Sequence, residues 1–403
     1  MKIAILYIQD AFGGVDTHLL TLLRNWPRKS DDIFLFSNRT NPGLRRIEAE
    51  IKKIKNVTVV RFEYLTNGQT TLAKKIISHF FFVPGFFWLR RKLQKIFAAQ
   101  GSFDLVLSSN GGYPGSLGCL AALWAARNLG IPARLLLVHH AADARSAFRL
   151  TIEAILDHLV QEWATGIVTV SLATRESLRW NRGFTMEKCP LHVIPNGIDV
   201  SSQKKNTEQS LRKQFNIKQK NFLVGMVGRL ERYKGQEDLI LALGLLPSNL
   251  RHKISVILVG EGNEREVRRL QALVVRLNLR RQVHFTGYLP IESVLIMKEF
   301  DLLAMLTKDF EGFGLTIAEA MAAGTPVLAT SVGGVTEFTN PEIAYLVPPG
   351  SPIQISLTLM KILKEKDKSR QMAQKAKQHI LKFSGKHMAK MYYNLMSSSV
   401  NQT

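Results

Sequence analysis

The sequence is poor in the residues that build cross-linked or membrane-embedded proteins. Among its 403 residues only two are cysteines, Cys119 and Cys189, which is too few for a disulfide framework or a zinc cluster. No apolar run reaches the roughly 18 residues that a membrane-spanning helix needs, and no repeat of roughly 20–50 residues is visible. We therefore interpret the chain as a globular cytosolic protein in which both cysteines are reduced core thiols.

Acidic residues are also scarce. The chain has 32 aspartates and glutamates against 54 lysines and arginines, which gives a net charge of +22. Such an excess implies an anionic partner. The positive charge is spread over both halves of the chain, and none of the recognised nucleic-acid-binding motifs occurs. The composition therefore favours an anionic membrane surface over nucleic acid.

What the sequence does contain is a repeated alternation of strands and helices. An apolar content of 46% in 403 residues is enough for two domains with separate cores. Buried strands such as 2–8 and 222–227 each run through a glycine-containing turn into a helix. This pattern occurs in both halves of the chain. It predicts an α/β protein with two Rossmann-like, doubly wound parallel-sheet domains that face each other across a cleft.

The most informative stretch is 307–334, which predicts a loop, a helix, a turn, a strand and a second loop. The N–H groups of residues 314–316 point out of the first turn of this helix, where an anion can be held. Glu311 and Glu319 lie eight residues apart, one before the helix and one on it. Their spacing alone leaves two interpretations open, because acidic residues near a helix N-terminus also stabilise it without doing chemistry.

Two cations flank another predicted strand-to-helix turn. Arg229 and Lys234 lie five residues apart and can converge on one point. An arginine fork together with a lysine point charge suits a diphosphate. The alternative is that both are solvated surface cations.

Polar residues also follow strands of the N-terminal half. His139 and His140 come directly after a predicted strand at 134–138, at the edge of an open α/β sheet where ligands bind. A histidine pair is more often structural than catalytic, so both interpretations stay open. The Gly13-Gly14 turn allows close approach of backbone to a phosphate or sugar, or is simply tight. Because it is not GxGxxG, it argues against a nicotinamide cofactor.

Several of these stretches resemble motifs of one enzyme family. The letters EGFGL at 311–315, EAMAAGTPV at 319–327 and the glycines at 333–334 resemble the donor-sugar motif of the retaining family-4 glycosyltransferases. These are nucleotide-sugar enzymes with the two-domain GT-B fold. GGV at 13–15 and GRLERYKG at 228–235 resemble the family's first glycine loop and its diphosphate-holding motif.

The resemblance implies a domain organisation. IPNGID at 194–199 resembles the family's boundary between domains, so we expect an N-terminal acceptor-side domain at 1–197. A nucleotide-sugar-binding domain should follow at 198–375, and a C-terminal helix within 376–403 should return to the first domain. Residues 200–220 are polar and charged, and are interpreted as a linker with a short surface helix.

The resemblance also implies a reaction. A sugar is expected to move from a UDP- or GDP-linked donor to a hydroxyl of a glycan or lipid-linked acceptor, with retention of anomeric configuration and no enzyme nucleophile. A role in cell-surface polysaccharide, lipopolysaccharide or glycolipid synthesis would fit. No other cofactor is expected, and because Asp-x-Asp is missing, no divalent metal. A nucleotide-sugar epimerase of the same fold and a non-catalytic anion-binding protein remain as alternatives.

The family motifs assign roles to individual residues. Those expected to be catalytic are His139, Glu311, Arg229 and Lys234. Those expected to bind the donor are Gly14, Arg229, Lys234, Tyr288, Glu311, Gly312, Phe313, Gly314, Leu315, Thr316 and Glu319. Those expected on the acceptor side are Asn110, His139 and His140. Two departures stand out: residues 305–307 replace a common Pro-Ser ending, and Asn110 stands where many relatives have histidine.

The segment 72–97 combines seven aromatic residues with six cations. Basic, aromatic helices of this kind lie in the interface of an anionic bilayer. Pro84-Gly85 is expected to split the segment into two amphipathic pieces. The protein would then be cytoplasmic and peripheral on the inner face of the cell membrane. Alternatively, a helix pair buries these phenylalanines in the domain core.

Overall fold

The computed structural model describes residues 1–9, 13–41, 43–64, 82–199, 210–289 and 293–401. The chain divides into two compact units. The first unit contains Met1–Gly197 and the chain from Gly385 onward, and the second contains Ile198–Ser384.

The first unit is built on a seven-stranded sheet in the order β3-β2-β1-β4-β5-β6-β7, with parallel pairing at every step. Its strands are β1 (Lys2–Tyr7), β2 (Asp32–Asn38), β3 (Val57–Phe62), β4 (Leu105–Asn110), β5 (Ala133–Val138), β6 (Gly166–Thr169) and β7 (Leu191–Val193). Successive strands are added toward one edge of the sheet from β1 to β3 and toward the other edge from β4 onward. The switch point lies between the parallel strands β1 and β4, where Tyr7 pairs with Ser109. In open α/β sheets, ligands bind outside the carboxyl ends of the strands at such a switch point.

Helices cover both faces of this sheet, which is why its central strands are apolar along their whole length. They are α1 (Gly14–Arg24), α2 (Leu44–Ile51), α3 (Phe82–Ala98), α4 (Leu117–Asn128), α5 (Leu150–Trp163) and α6 (Leu172–Arg182), with a 3-10 turn at Ala147–Arg149. Helix α4 is rich in alanine and buries eight residues. Small side chains let it lie close to the sheet and to α3.

The second unit contains a six-stranded sheet in the order β10-β9-β8-β11-β12-β13, also with parallel pairing. Its strands are β8 (Phe222–Val227), β9 (Ile254–Val259), β10 (Val283–Gly287), β11 (Leu302–Met305), β12 (Val327–Thr330) and β13 (Tyr345–Val347). Here the order in which strands are added switches from one edge of the sheet to the other between β8 and β11. The loops that follow these two strands therefore meet at the second switch point.

The helices of the second unit surround this sheet. They are α7 (Leu211–Gln214), α8 (Gln236–Leu245), α9 (Ser248–Arg251), α10 (Glu264–Arg276), α11 (Ser293–Met297), α12 (Leu315–Ala323), α13 (Val335–Phe338), α14 (Pro352–Lys364) and α15 (Lys366–His379), with 3-10 turns at Arg232–Lys234 and Ile380–Phe383. The ten residues 200–209 of the predicted linker lie outside the described residues.

The last helix, α16 (Gly385–Asn401), belongs to the first unit and contacts α1 and β5. We predicted that the second domain ends at residue 375, whereas residues 376–384 are also grouped with the second unit. The reason is packing: α15 continues to His379, and both it and the following 3-10 turn contact α12.

Part of the basic, aromatic segment is visible. Residues 72–81 lie outside the described residues, and from Phe82 the chain is one helix, α3. Pro84 does not divide this helix, because it falls in the first turn, where a missing N–H is tolerated. Phe86 and Phe97 are buried in the core, whereas Phe87 and Trp88 are 48% and 54% exposed. The helix thus buries one aromatic face and exposes another.

None of the helices in the described ranges combines the length and apolar character needed to cross a bilayer.

Candidate active site

The clearest constellation lies at the carboxyl edge of the second sheet, where the loops after β8 and β11 meet. Lys234 ends the 3-10 turn after β8, and Glu311 lies in the loop after β11. Lys234 Nζ is 2.8 Å from Glu311 Oε2, and the two side chains are only 20% and 18% exposed. Thr307 Oγ1 donates a hydrogen bond of 3.2 Å to the same carboxylate oxygen. The two charges predicted from separate motifs therefore form one ion pair.

Two glycines make this close approach of backbone possible. Gly235 has φ +82°, and a Cβ there would lie 2.0 Å from the carbonyl oxygen of Leu306. Gly333 has φ +51°, and a Cβ there would lie 2.3 Å from the carbonyl oxygen of Glu311. That carbonyl instead accepts a hydrogen bond of 2.8 Å from the N–H of Gly334. A side chain at either position would displace the loops that carry the ion pair.

Tyr233 connects the two predicted cations. Arg229 Nη2 donates to its hydroxyl at 3.4 Å, and Lys234 Nζ lies 5.1 Å from the centroid of its ring. Burial, followed by its contact with Glu231, raises the pKa of the Tyr233 phenol. Arg229 is itself 51% exposed and paired with Glu231 at 2.9 Å. Both cations thus border one tyrosine side chain, and Arg229 is the more accessible of the two.

Helix α12 begins beside the ion pair. Gly314 is its N-cap at φ +94°, and a Cβ there would lie 3.7 Å from Glu311 Cγ. The first turn of an α-helix leaves N–H groups without intrahelical partners. The ring of Phe313 stacks on that of Phe338, with 4.6 Å between the ring centroids. Gly312 is buried, while Leu315 and Thr316 are half-buried. The side chain of Phe313, which the sequence assigns to the donor, is buried in this stack.

The remaining residues assigned to the donor lie on other elements. Glu319 is buried on α12 at 7% exposure. Tyr288 is 42% exposed after β10, a strand separated from β11 by β9 and β8. In the first unit, Gly14 is the exposed first residue of α1.

A second constellation lies at the carboxyl edge of the first sheet, and it is uncharged. His139 follows β5 and is 9% exposed. Its Nε2 lies 3.1 Å from Ser109 Oγ, and its ring meets that of His18 edge-on, with centroids 4.6 Å apart. Burial, assisted by His18, lowers the pKa of His139 well below its ordinary value. His140, the next residue, is half-buried.

Asn110, which the family resemblance assigns to the acceptor side, is buried at the end of β4. Its side chain is 1% exposed. Oδ1 accepts a hydrogen bond of 2.9 Å from the N–H of Ser116, and Nδ2 donates to the carbonyl of Pro114 at 2.8 Å. The amide thus closes its own loop, and its assignment as an acceptor contact stays a prediction.

Sequence reasoning missed five residues of these constellations: Thr307, Tyr233, Ser109, His18 and Asn196, whose Oδ1 lies 2.8 Å from His18 Nδ1. Thr307 and Tyr233 lie inside recognised motifs, and their polar ends were the available signal. His18 and Asn196 gave no such signal, because 178 residues separate their hydrogen-bonded atoms in the chain. In the described part of the chain, no group of three or more histidine, cysteine, aspartate or glutamate residues could hold a metal ion.

Comparison with known proteins defines the class to which this fold and these sites belong. A family model described as Glycosyltransferase Family 4 matches residues 12–202, and one described as Glycosyl transferases group 1 matches residues 207–379. Solved structures with the same two parallel-sheet units are GT-B glycosyltransferases. The chain belongs to the family-4 glycosyltransferases and has the GT-B fold.

Individual relatives are distant. The chain is 32% identical over 225 residues to D-inositol 3-phosphate glycosyltransferase of Corynebacterium jeikeium, a match covering 53% of each chain. The protein of the same name from Corynebacterium efficiens is 24% identical over 404 residues, covering 96% of this chain and 91% of that one. The crystal structure of Anabaena HepE in complex with UDP and glucose matches with a TM-score of 0.75 at 22% identity, covering 99% and 100% of the two chains. The chain spans about half the length of the first curated relatives it matches.

Proposed function

We propose that this protein transfers a sugar from a UDP- or GDP-linked donor to a hydroxyl of a glycan or lipid-linked acceptor. The observation that carries the proposal is the Lys234–Glu311 ion pair at the switch point of the second sheet, beside Arg229 and the first turn of α12. It is supported by relatives named for transfer to inositol 3-phosphate, a polyol, and by HepE, solved with UDP and glucose. A role in cell-surface polysaccharide, lipopolysaccharide or glycolipid synthesis is part of this proposal.

The chemistry follows from the charges. As the bond between sugar and diphosphate breaks, negative charge grows on the leaving diphosphate and positive charge on the anomeric carbon. Arg229 and Lys234 stabilise the first, together with the N–H groups that start α12. Glu311 stabilises the second. In the absence of donor these opposite charges neutralise each other across 2.8 Å, and the donor's diphosphate would compete with Glu311 for Lys234.

The proposed reaction retains anomeric configuration without an enzyme nucleophile. Glu311 is held by both Lys234 and Thr307. A carboxylate with two such partners is a weak nucleophile but a good electrostatic stabiliser. Arg229, Lys234 and the start of α12 together supply the positive charge at the diphosphate, so the proposal needs no divalent metal.

The test is a binding screen followed by a transfer assay. UDP-, GDP- and ADP-sugars are compared by thermal shift, because a ligand at 100 times its Kd stabilises the folded state by about 2.7 kcal/mol. One of the nucleotides should raise the Tm of the wild type and of Lys253→Ala, an exposed lysine before β9, but not of Lys234→Ala. Labelled donor with lipid extract should then give a labelled acceptor. No shift with any nucleotide, or release of an epimerised sugar nucleotide, would overturn the proposal.

We further propose that the exposed face of α3 binds the anionic inner surface of the cell membrane. Phe87 and Trp88 project from it, and Lys92 Nζ lies 4.9 Å from the Trp88 ring centroid. Aromatic rings among cations anchor helices at the bilayer interface. The protein should sediment with phosphatidylglycerol vesicles, and Phe87→Ser with Trp88→Ser should weaken this. Equal sedimentation of the double variant would contradict the proposal.

A further inference from the structure

Behind His139, four segments distant in sequence bring uncharged polar side chains together. His139 ends β5, Ser109 lies on β4, His18 on α1, and Asn196 follows β7 near the end of the first unit. All four residues are at least 91% buried. A buried polar cluster is costly unless its hydrogen bonds are satisfied, so its pairing determines what it can do.

The hydrogen bond of His18 determines its tautomer. His18 Nδ1 lies 2.8 Å from Asn196 Oδ1. An amide oxygen only accepts hydrogen bonds, so Nδ1 carries the proton and Nε2 the lone pair. Within the described residues, Nε2 has no hydrogen-bond partner and is shielded from water. A second proton on this ring would be buried without an acceptor, and burial lowers the pKa of His18 to about 4.

The surroundings of His139 leave one of its nitrogens available. Nε2 lies 3.1 Å from Ser109 Oγ, while Nδ1 has no partner among the described residues. The His18 ring packs against the His139 ring with an angle of 78° between the two ring planes. The backbone N–H of His139 is bonded to the carbonyl of Asn110 at 3.1 Å. Contacts with Ser109 and His18 therefore hold the ring, and Nδ1 is the nitrogen that remains for a ligand.

The C-terminal helix closes the cluster on its far side. The ring of Tyr392 on α16 meets the His18 ring edge-on, with 5.5 Å between the ring centroids. On the same helix, Met388 Sδ accepts a hydrogen bond of 3.0 Å from the N–H of Gly197. The groups that face the two histidines from the neighbouring elements are thus Tyr392, Ser109 and Asn196. None of these carries a charge at neutral pH.

We propose that His18 is a positioning residue for His139: its ring fixes the orientation of the His139 imidazole and keeps water away, so that a sugar hydroxyl meets a neutral Nδ1. This inference rests on the proposed function, since the hydroxyl is that of the transferred sugar or its acceptor. A neutral imidazole can bond a hydroxyl without adding charge near the anomeric carbon, where positive charge develops. Protonation of His139 would place a like charge there.

The test compares two substitutions of His18. His18→Ala removes the ring and admits water, which raises the pKa of His139 toward its ordinary value of about 6.5. We expect kcat/KM at pH 7.5 to fall roughly ten- to hundredfold, the cost of about 1 Å of misplacement. An additional loss should set in below about pH 6.5. His18→Phe keeps a ring against His139 but adds no titrating group. Its kcat/KM should be close to that of the wild type and should show no additional loss below about pH 6.5.

His158→Ala is the matched control, because His158 is a histidine 55% exposed on α5. It should behave as the wild type at every pH. The proposal is overturned if His18→Ala lowers kcat/KM by the same factor at every pH, or if His18→Phe is no better than His18→Ala. The first result would mean that His18 affects activity only through packing, and the second that the ring by itself does not position His139.

A second measurement separates this inference from the proposed function. If the wild type transfers no sugar, the transferase proposal fails, but the imidazole ¹⁵N shifts of His139 still report its protonation. They should show a neutral ring at pH 5.5 in the wild type and in His18→Phe, and a titrating ring in His18→Ala. Equal titration in wild type and His18→Ala overturns the positioning role whatever the activity.

Discussion

The carboxyl edges of the two sheets differ in charge and in burial. In the second unit, Lys234 and Glu311 carry full charges and keep about a fifth of their surface in water. In the first unit, His18 and His139 are buried, and burial holds both pKa values below the ordinary range. Burial penalises the charged form of any group, so a site that needs charge keeps contact with solvent and a partner ion. A site that needs a neutral hydrogen-bonding group can be sealed.

The difference also concerns how each site is assembled. Lys234, Thr307 and Glu311 come from two loops that follow neighbouring strands at one switch point. The histidine cluster needs α1, the ends of β4 and β5, the segment after β7 and the last helix. A local motif can therefore describe the charged site, whereas the neutral site depends on the whole first unit.

The largest effect should come from removing charge at the second edge. Glu311→Ala leaves Lys234 without its counter-charge and, in the proposed reaction, leaves the anomeric carbon without a carboxylate. We expect kcat to fall about 10²–10³-fold, the scale of losing one preorganised electrostatic group. Glu311→Gln keeps the hydrogen bond from Thr307 but not the charge, and should be nearly as inactive.

Asp309→Asn is the control for this loop, because Asp309 is exposed two residues before Glu311. It should retain full activity in steady-state kinetics. If Glu311→Gln were as active as Asp309→Asn, charge would not be what distinguishes the second edge from the first.

A smaller effect should come from the glycines that bring the charged loops together. Gly333→Ala places a Cβ 2.3 Å from the Glu311 carbonyl oxygen, whereas Gly350→Ala meets no atom within 4 Å. Both positions have positive φ. Gly350→Ala should cost about 1 kcal/mol in backbone strain, and Gly333→Ala at least about 3 kcal/mol, because the loop must also move. Urea denaturation measures both, and equal costs would show that the close approach does not matter.

The smallest effect should appear in the acid stability of the first unit. The pKa of His18 is about 4 in the folded state and about 6.5 in an unfolded chain. Between these values the unfolded state binds more protons, so stability present above pH 6.5 is lost as the pH falls toward 4. From pH 7.5 to pH 5, the wild type should lose about 2 kcal/mol more than His18→Phe.

Asp16 acts in the opposite direction and provides an internal check. Burial raises its pKa to about 6 from 3.8, so its carboxylate destabilises the fold increasingly as the pH rises from about 4 to 6. Because Asp16 is present in both proteins, its contribution cancels in the difference between wild type and His18→Phe. Unfolding of the two at equal slopes against pH would contradict a buried neutral His18.

Where sequence reasoning worked, the information was local. Strand spacing and glycine turns predicted two parallel-sheet units, and the motifs around Arg229, Lys234 and Glu311 predicted charged loops at a sheet edge. The predicted division of segment 72–97 at Pro84 was wrong, because a proline fits into the first turn of α3. The sequence also does not show which way a side chain turns: Asn110 folds back into its own loop, and the Phe313 ring joins an aromatic stack.

The sequence by itself determined the alternation of elements, the glycine positions and the excess of positive charge, because these depend on residues close together in the chain. Only the tertiary structure decided that Lys234 and Glu311 share one contact and that His18 lies against His139. The physical reason is that burial and pairing depend on surfaces contributed by remote segments. A histidine on α1 stays neutral well below pH 6.5, and is held in place, only because the ends of two strands, the segment after β7 and the last helix enclose it.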